Sequence, residues 1–255
     1  MTFTIENFEA FLLILVRITG FIYTAPFFSL KNVPVRVKTG LSIFLTAILF
    51  YTVSYTVPEY KGVIEFAVFV VKEAIAGAIM GLFANIAYQI ISFAGQFIDT
   101  EIGLSMANQL DPVSNTQSTI TASFYGYLVL LMMIITDMHH YFIRAIIDSF
   151  QIIKLGEVNI NPGTYQLMAK FITDYFIIGF RIVLPIFAAI LIVNTILAII
   201  AKIAPQMNMF VIGIQIKIFV GLFVLYLIIE MIPSVADFIF NEMIDMLKSS
   251  IELLR

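Results

Sequence analysis

Few residues in this chain could do chemistry, and their spacing gives no catalytic set. The two histidines, His139 and His140, are adjacent. On a helix their side chains point about 100° apart, so they predict a poor joint metal site. The acidic residues Asp99 and Glu101 have no neighbouring base or ligand set, and the chain contains no cysteine for a thiolate or a disulfide. We therefore expect no enzyme, no cofactor and no metal site.

The remaining polar chemistry consists of charges inside apolar segments, at Arg17, Lys72, Glu73, Arg181 and Lys217. A cation at the centre of a membrane helix costs roughly 2.5–3.5 kcal/mol, so such residues usually face a bundle interior or a wet cavity. Two interpretations stay open for each charge: a structural ion pair or snorkelling side chain, and a role in a conduction path. We expect neighbouring proteins, rather than the chain itself, to neutralise them.

Small residues accompany these charges at helical spacing. Gly213, Lys217 and Gly221 are four apart and share one helix face, which predicts that Lys217 points at protein or water. Gly77 and Gly81 form a second stripe, typical of helices that pack closely together. Arg181 follows Asp174 by two helical turns, so a link along one helix, or a polar partner that both residues share, is expected.

Membrane helices must position these side chains. The chain has 255 residues, of which 61% are hydrophobic and 12% charged, and its mean hydropathy is +1.01. A soluble domain of this size cannot hide so much apolar surface, because much of its exterior must face water. A net charge of −3 with scattered bases argues against a nucleic-acid partner.

A membrane helix needs about 20 apolar residues, and the segments that approach this length predict an all-α polytopic membrane protein with about six long apolar helices arranged as hairpins. The segments cover 8–30, 39–57, 63–98, 123–136, 171–201 and 209–232. We expect a single domain over 1–255, with an N-terminal hairpin (8–57), a long helix with a loop (63–121) and a C-terminal hairpin (171–232). The distribution of Lys and Arg favours neither membrane orientation clearly.

Two further stretches are amphipathic. From His139 to Lys154, and again from Asp237 to the end, apolar residues recur at helical spacing opposite polar ones. Each helix is expected to lie on a membrane surface, on a partner, or over loops of this same chain.

The polar stretch from Asp99 to Thr121 separates two apolar segments. It has 23 residues, whereas most connections have about 4–6. Long loops at membrane depth occur only where they line a cavity or are buried in protein. An exposed loop and a re-entrant, pore-obstructing loop are both compatible with this stretch.

The link before the last apolar segment resembles the signature of the FliR family, membrane components of the flagellar type III export gate. The matching residues are Ala204, Pro205, Gln206, Asn208, Phe210, Gly213 and Lys217. Blocks around Arg17 and Pro34, and from Gly95 to Pro112, also resemble that family. The chain departs from the pattern at Gln215, where the family has proline.

The resemblance implies a subunit of a gated conduit that passes unfolded flagellar proteins across the bacterial inner membrane. The implied location is the flagellar basal body, and the implied partners are FliP-like, FliQ-like and FlhB-like membrane subunits, with the exported proteins as cargo. It also implies that the central loop plugs the closed pore. The plug residues would be Gly103, Met106, Ala107, Asn108, Asp111 and Pro112.

Under this hypothesis, Arg17, Arg181 and Lys217 serve assembly or gating. Two further hypotheses are an injectisome type III secretion homologue and a self-contained secondary transporter, in which Arg181 and Lys217 contact a small solute. A structural anchor without a conduction role is a third.

Overall fold

A computed structural model describes residues 5–30, 32–52, 58–105, 119–159 and 163–255, which are helical almost throughout. The helices are α1 (Ile5–Thr24), α2 (Val35–Thr52), α3 (Val63–Ile102), α4 (Ile120–Ile135), α5 (Met138–Ile152), α6 (Thr164–Ile203), α7 (Met209–Ile228) and α8 (Ile232–Leu253), with a 3-10 turn at Ile229–Met231. The described ranges contain no strand. The predicted all-α polytopic class is confirmed.

Four helical stretches within the described ranges are long and apolar enough to cross a membrane: Val35–Thr52, Val63–Ile102, Tyr165–Ile203 and Met209–Leu253. The pair α4 and α5, bent by 69°, qualifies together as a broken span or a re-entrant segment. Helix α1 is not among these stretches. Length and composition therefore support four or five spans, where the sequence predicted about six apolar segments.

The long helices exceed what a bilayer requires. Helices α3 and α6 have 40 residues each, about twice the ~20 that cross a hydrocarbon core. In the most apolar windows of Tyr165–Ile203 and Met209–Leu253, only 22% and 11% of the residues are buried within the chain. Lipid or other protein chains must therefore cover these surfaces.

The chain divides into two compact units. The first comprises Met1–Tyr88, Ile134–Ile172 and Ile239–Arg255. Its core includes the buried face of α1, where Leu13 and Ile18 are fully enclosed.

The second unit comprises Gln89–Met133 and Thr173–Phe238. Rings from α3 and α6 pack against one another in this unit, where Phe93 lies 5.3 Å from Tyr175 and 5.7 Å from Phe180, measured between ring centroids. Gly179 makes room for this cluster, because a Cβ there would lie 2.5 Å from the Phe93 ring.

The two amphipathic helices pack on the chain itself. In α5, Phe142 and Ile146 are buried, while Arg144 is exposed on the opposite side. In α8, Leu247 is buried, and directly after this helix the carbonyl oxygen of Leu254 accepts a 3.1 Å hydrogen bond from the Asn159 amide. Of the predicted alternatives, covering this chain's own segments is the one the structure supports.

Candidate functional site

A buried ion pair joins the first and third helices. The Arg17 Nε donates to Glu73 Oε2 at 2.5 Å, and Arg17 Nη2 donates to Glu73 Oε1 at 3.0 Å. Both side chains are fully enclosed. Two parallel hydrogen bonds are the strongest arrangement available to an arginine and a carboxylate.

The same pair also holds the end of α5. Arg17 Nη1 donates to the carbonyl oxygen of Ser149 in the last turn of that helix at 3.3 Å, and to the carbonyl oxygen of Ile153 just after it at 3.1 Å. The guanidinium lies 4.3 Å from the ring centre of Phe150. Glu73 Oε1 accepts a 2.8 Å hydrogen bond from the Gly156 amide. We call this group the Arg17 node.

The expectation that other proteins neutralise the membrane-depth charges is wrong for Arg17. Its charge is compensated inside the chain by Glu73. The physical reason is that removing a cation from water is tolerable only with an opposite charge and hydrogen bonds at close range. The opposite charges of Arg17 and Glu73, each in an apolar segment, could have suggested that the two residues pair. Their separation along the sequence does not show whether the two helices bring them into contact.

The glycine stripe of α3 lies against the backbone of α1. A Cβ on Gly77 would lie 2.0 Å from the carbonyl oxygen of Arg17, and one on Gly81 would lie 2.1 Å from Thr24 Oγ1. Asn85 Nδ2, one turn further along, donates to the Thr24 carbonyl oxygen at 2.8 Å. The two helices therefore touch at a distance that only glycine allows.

A clamp closes the base of the central loop. The fully buried carboxylate of Asp99 accepts a 2.8 Å hydrogen bond from the Thr121 amide through Oδ2, and a short one from the Thr121 hydroxyl through Oδ1. Beside it, a Cβ on Gly95 would lie 2.3 Å from the Ala122 Cα. The end of α3 and the start of α4 are thus held together.

The predicted plug residues lie at and beyond this clamp. Gly103 has φ +94° just after α3, in a region that L residues rarely adopt, and its amide donates to the Asp99 carbonyl oxygen at 3.1 Å. The other predicted plug residues lie outside the described residues: Met106, Ala107, Asn108, Asp111 and Pro112.

The signature segment forms the turn between α6 and α7. Asn208 caps α7, because its side-chain oxygen accepts hydrogen bonds from the amides of Phe210 at 3.2 Å and Val211 at 3.4 Å. The Ala204 amide completes the end of α6 by donating to a helix carbonyl at 2.8 Å. Between these two points, Pro205 and Gln206 are exposed.

The second small-residue stripe faces this chain's own helices. A Cβ on Gly221 would lie 2.5 Å from Ile102 of α3, and one on Gly213 would lie 3.3 Å from Leu197 of α6. Lys217, on the same face, is half-buried and makes no ion pair with any residue in the described ranges.

Arg181 borders a cavity inside the second unit. The cavity has a volume of about 270 Å³ and is lined mainly by apolar side chains, together with Tyr125 and Ser234. Arg181 itself is exposed and makes no ion pair with the described part of the chain. No ion pair joins Arg181 to Asp174, so the direct link is not formed, and a polar partner shared by the two stays a prediction.

The rings of the two adjacent histidines lie close together. Their ring centroids are 4.1 Å apart. Both residues belong to the first turn of α5, directly after Asp137, which adopts a left-handed conformation with φ 56° and ψ 22°. One potential metal-ligating atom from each of Asp137, His139 and His140 falls within 4.8 Å of the others. Backbone direction alone places the two side chains about 100° apart, but their rotamers decide how close the rings come.

An ionisable pair lies outside the candidate spans. The Tyr60 hydroxyl donates a short hydrogen bond to Glu9 Oε1. This hydrogen bond, with smaller contributions from desolvation and the Glu9 charge, raises the pKa of Tyr60 above its usual value.

The chain resembles bacterial proteins of known family along nearly its whole length. Residues 8–243 match the family described as bacterial export proteins, family 1. The chain is 33% identical to the flagellar biosynthetic protein FliR of Bacillus subtilis, over 99% of this chain and 98% of the relative. It is 30% identical to FliR of Pectobacterium carotovorum, over 91% and 88%, and 28% identical to FliR of Escherichia coli, over 91% and 89%.

Proposed function

Because the chain belongs to the bacterial export proteins, family 1, we propose that it is a FliR-like membrane subunit of the flagellar type III protein export gate. The full-length similarity to flagellar biosynthetic proteins carries this proposal. As such a subunit, it is a multi-pass protein of the inner membrane at the flagellar basal body. It contributes to the conduit through which unfolded flagellar proteins leave the cell.

The partners in this proposal are FliP-like, FliQ-like and FlhB-like subunits. The low burial of the apolar windows in Tyr165–Ile203 and Met209–Leu253 is compatible with a larger assembly, because partner helices can cover this surface. Arg181 and Lys217 support it too, because neither has an anionic partner among the described residues and a partner subunit can supply one. In this role the whole chain, 1–255, acts as one export-gate module.

The central loop is the proposed plug. The hydrogen bond between Asp99 and Thr121 supports this proposal, because it holds together the helix ends from which the loop starts and to which it returns. Removing 106–117 should let small ions through the assembled gate. The same deletion without the partner subunits is the control and should leave permeability unchanged. An assembled gate that stays tight after the deletion would contradict a plug.

The alternatives receive less support. The similar proteins named above are all flagellar, which disfavours an injectisome homologue. A self-contained transporter predicts a stable monomer or dimer that binds a solute in mild detergent. The export-gate proposal predicts instead that the chain co-purifies with FliP-like and FliQ-like proteins.

Complementation tests the function directly. The gene should restore swimming and secretion of flagellar proteins to a Bacillus subtilis strain that lacks its own FliR. A matched chain carrying Gly77→Leu should fail, because that residue packs on the α1 backbone. Normal membrane insertion without any secretion by the unaltered chain would count against the proposal.

A further inference from the structure

The bend between α4 and α5 carries three polar side chains that no part of the export proposal uses. Asp137 stands at the bend, before the first turn of α5, in a left-handed conformation. For a residue other than glycine this conformation is uncommon, although aspartate adopts it more readily than most. The bend thus holds Asp137 in an orientation that ordinary helix geometry would not give.

Asp137 does not use its carboxylate as a helix cap. An aspartate at the start of a helix usually accepts hydrogen bonds from amides of the first turn, but the Asp137 side chain makes no such bond. Its Oδ1 lies instead 3.3 Å from His140 Nδ1. Both side chains are exposed, by 74% and 62%, so ions from solvent can reach them.

His139 completes the group. Its ring stacks on Phe27 with centroids 5.6 Å apart, which restricts its movement. Its Nδ1 is buried and has no hydrogen-bond partner among the described residues. A buried polar atom without a hydrogen-bond partner is unfavourable, and a metal ion bound through this nitrogen would give it a partner.

We propose that Asp137, His139 and His140 bind a divalent transition-metal ion, with Zn²⁺ as the best match. Their ligand atoms already lie within 4.8 Å of one another. Zinc holds imidazole nitrogens and carboxylate oxygens at about 2.0–2.2 Å, and small side-chain rotations bring these groups to that distance. Two imidazoles and one carboxylate favour such a metal over Ca²⁺ or Mg²⁺, which prefer oxygen ligands.

Bound metal would join the bend to the first turn of α5. Asp137 precedes that turn and the histidines lie within it. The ion would therefore link the residue at the bend to the start of α5. The site is formed within the first compact unit and needs no other protein. It is therefore independent of the proposed export role, and either proposal can fail without the other.

Metal titration of the full-length protein in detergent tests the site. The protein should carry an affinity tag without histidines. Co²⁺ absorbance and competition between Zn²⁺ and a chelating indicator then report binding. We expect one ion per chain and at least tenfold weaker Zn²⁺ binding in both Asp137→Asn and His140→Asn. Because both side chains are exposed, these variants should fold, which metal-free thermal unfolding checks.

Asp148→Asn is the matched control. Asp148 is an exposed carboxylate on the same helix, outside the group, and its loss should leave Zn²⁺ binding unchanged. The proposal is overturned if the unaltered protein binds no more tightly than Asp137→Asn. It is also overturned if Asp148→Asn weakens binding as strongly, because the ion would then associate with surface carboxylates in general.

Discussion

Arg17 and Glu73 form a solvent-free ion pair in which two hydrogen bonds, of 2.5 and 3.0 Å, join α1 to α3. Around it, Ser149, Ile153 and Gly156 contribute backbone groups that complete the hydrogen bonding. The Arg17 node is therefore a structural junction of three segments that are far apart in the chain.

Removing one member of this pair should be severely destabilising. In Glu73→Leu the guanidinium stays buried without its anion, and such losses typically cost about 3–5 kcal/mol. Thermal unfolding of the purified protein in detergent measures the change. The double variant Arg17→Met/Glu73→Leu should recover part of the loss, because no uncompensated charge remains. A single variant as stable as the unaltered protein would show that the pair contributes nothing.

A methyl group at Gly77 should force α1 away from α3. The Cβ would meet the Arg17 carbonyl oxygen at 2.0 Å, and backbone atoms cannot move aside as a flexible side chain can. We expect Gly77→Ala to cost about 1–3 kcal/mol or more, seen as a lower unfolding temperature in detergent. Gly40→Ala is the control: nothing lies within 4 Å of a Cβ there, so its unfolding temperature should not fall. Equal unfolding temperatures for the two variants would rule out the close contact between α1 and α3 at Gly77.

Loss of the Asp99 carboxylate should open the base of the central loop. Asp99→Ala leaves the buried amide of Thr121 without its acceptor, a loss of about 1–3 kcal/mol. Amide hydrogen exchange in the first turn of α4 should become faster, while Asp99→Asn, which keeps an acceptor oxygen, should have a smaller effect. Glu101→Ala changes a nearby carboxylate outside the clamp. If exchange is as fast in Glu101→Ala as in Asp99→Ala, the hydrogen bonds between Asp99 and Thr121 are not what protects the first turn of α4.

Arg181 should be needed for export because its charge lacks compensation among the described residues. Arg181→Leu removes the cation beside the cavity, and secretion of flagellar proteins should fall at least tenfold, whereas Arg181→Lys should retain part of it. Lys202→Leu, an exposed lysine at the end of the same helix, serves as the comparison and should secrete normally. Undiminished secretion by Arg181→Leu would make the charge incidental.

The Tyr60 phenol should ionise at unusually high pH. The difference in ultraviolet absorbance between the unaltered protein and Tyr60→Phe isolates this group, and its midpoint should exceed the ordinary value of about 10. Since the folded state raises this pKa, the stabilising contribution is present below pH about 10 and is lost as pH rises through the folded-state pKa. Glu9→Gln should lower the midpoint. A midpoint at or below 10 would contradict the hydrogen bond.

The secondary structure was largely predictable because hydropathy and helical spacing act locally. Uninterrupted apolar stretches located the long helices, and the spacing of Phe142 and Ile146 located the buried face of α5. Helix-breaking residues were also informative locally: the link that contains Pro205 separates α6 from α7.

The partners of the polar residues were not predictable, because they depend on where distant segments meet. Arg17 and Asp99 stand out in the sequence because they are charged residues within or beside apolar segments. Nothing in their local sequence predicts that their partners are Glu73 and Thr121. The proximity of His139 and Asp137 likewise depends on one left-handed residue at a bend, which periodicity does not encode.

Composition and apolar periodicity by themselves determined that this is a membrane-embedded helical protein, since transfer from water depends on residue type more than on neighbours. The residues of the family signature could also be recognised from the sequence alone. Only the tertiary structure decided which charges are compensated within the chain, because ion pairs and helix contacts require atoms from remote segments to approach within a few ångströms.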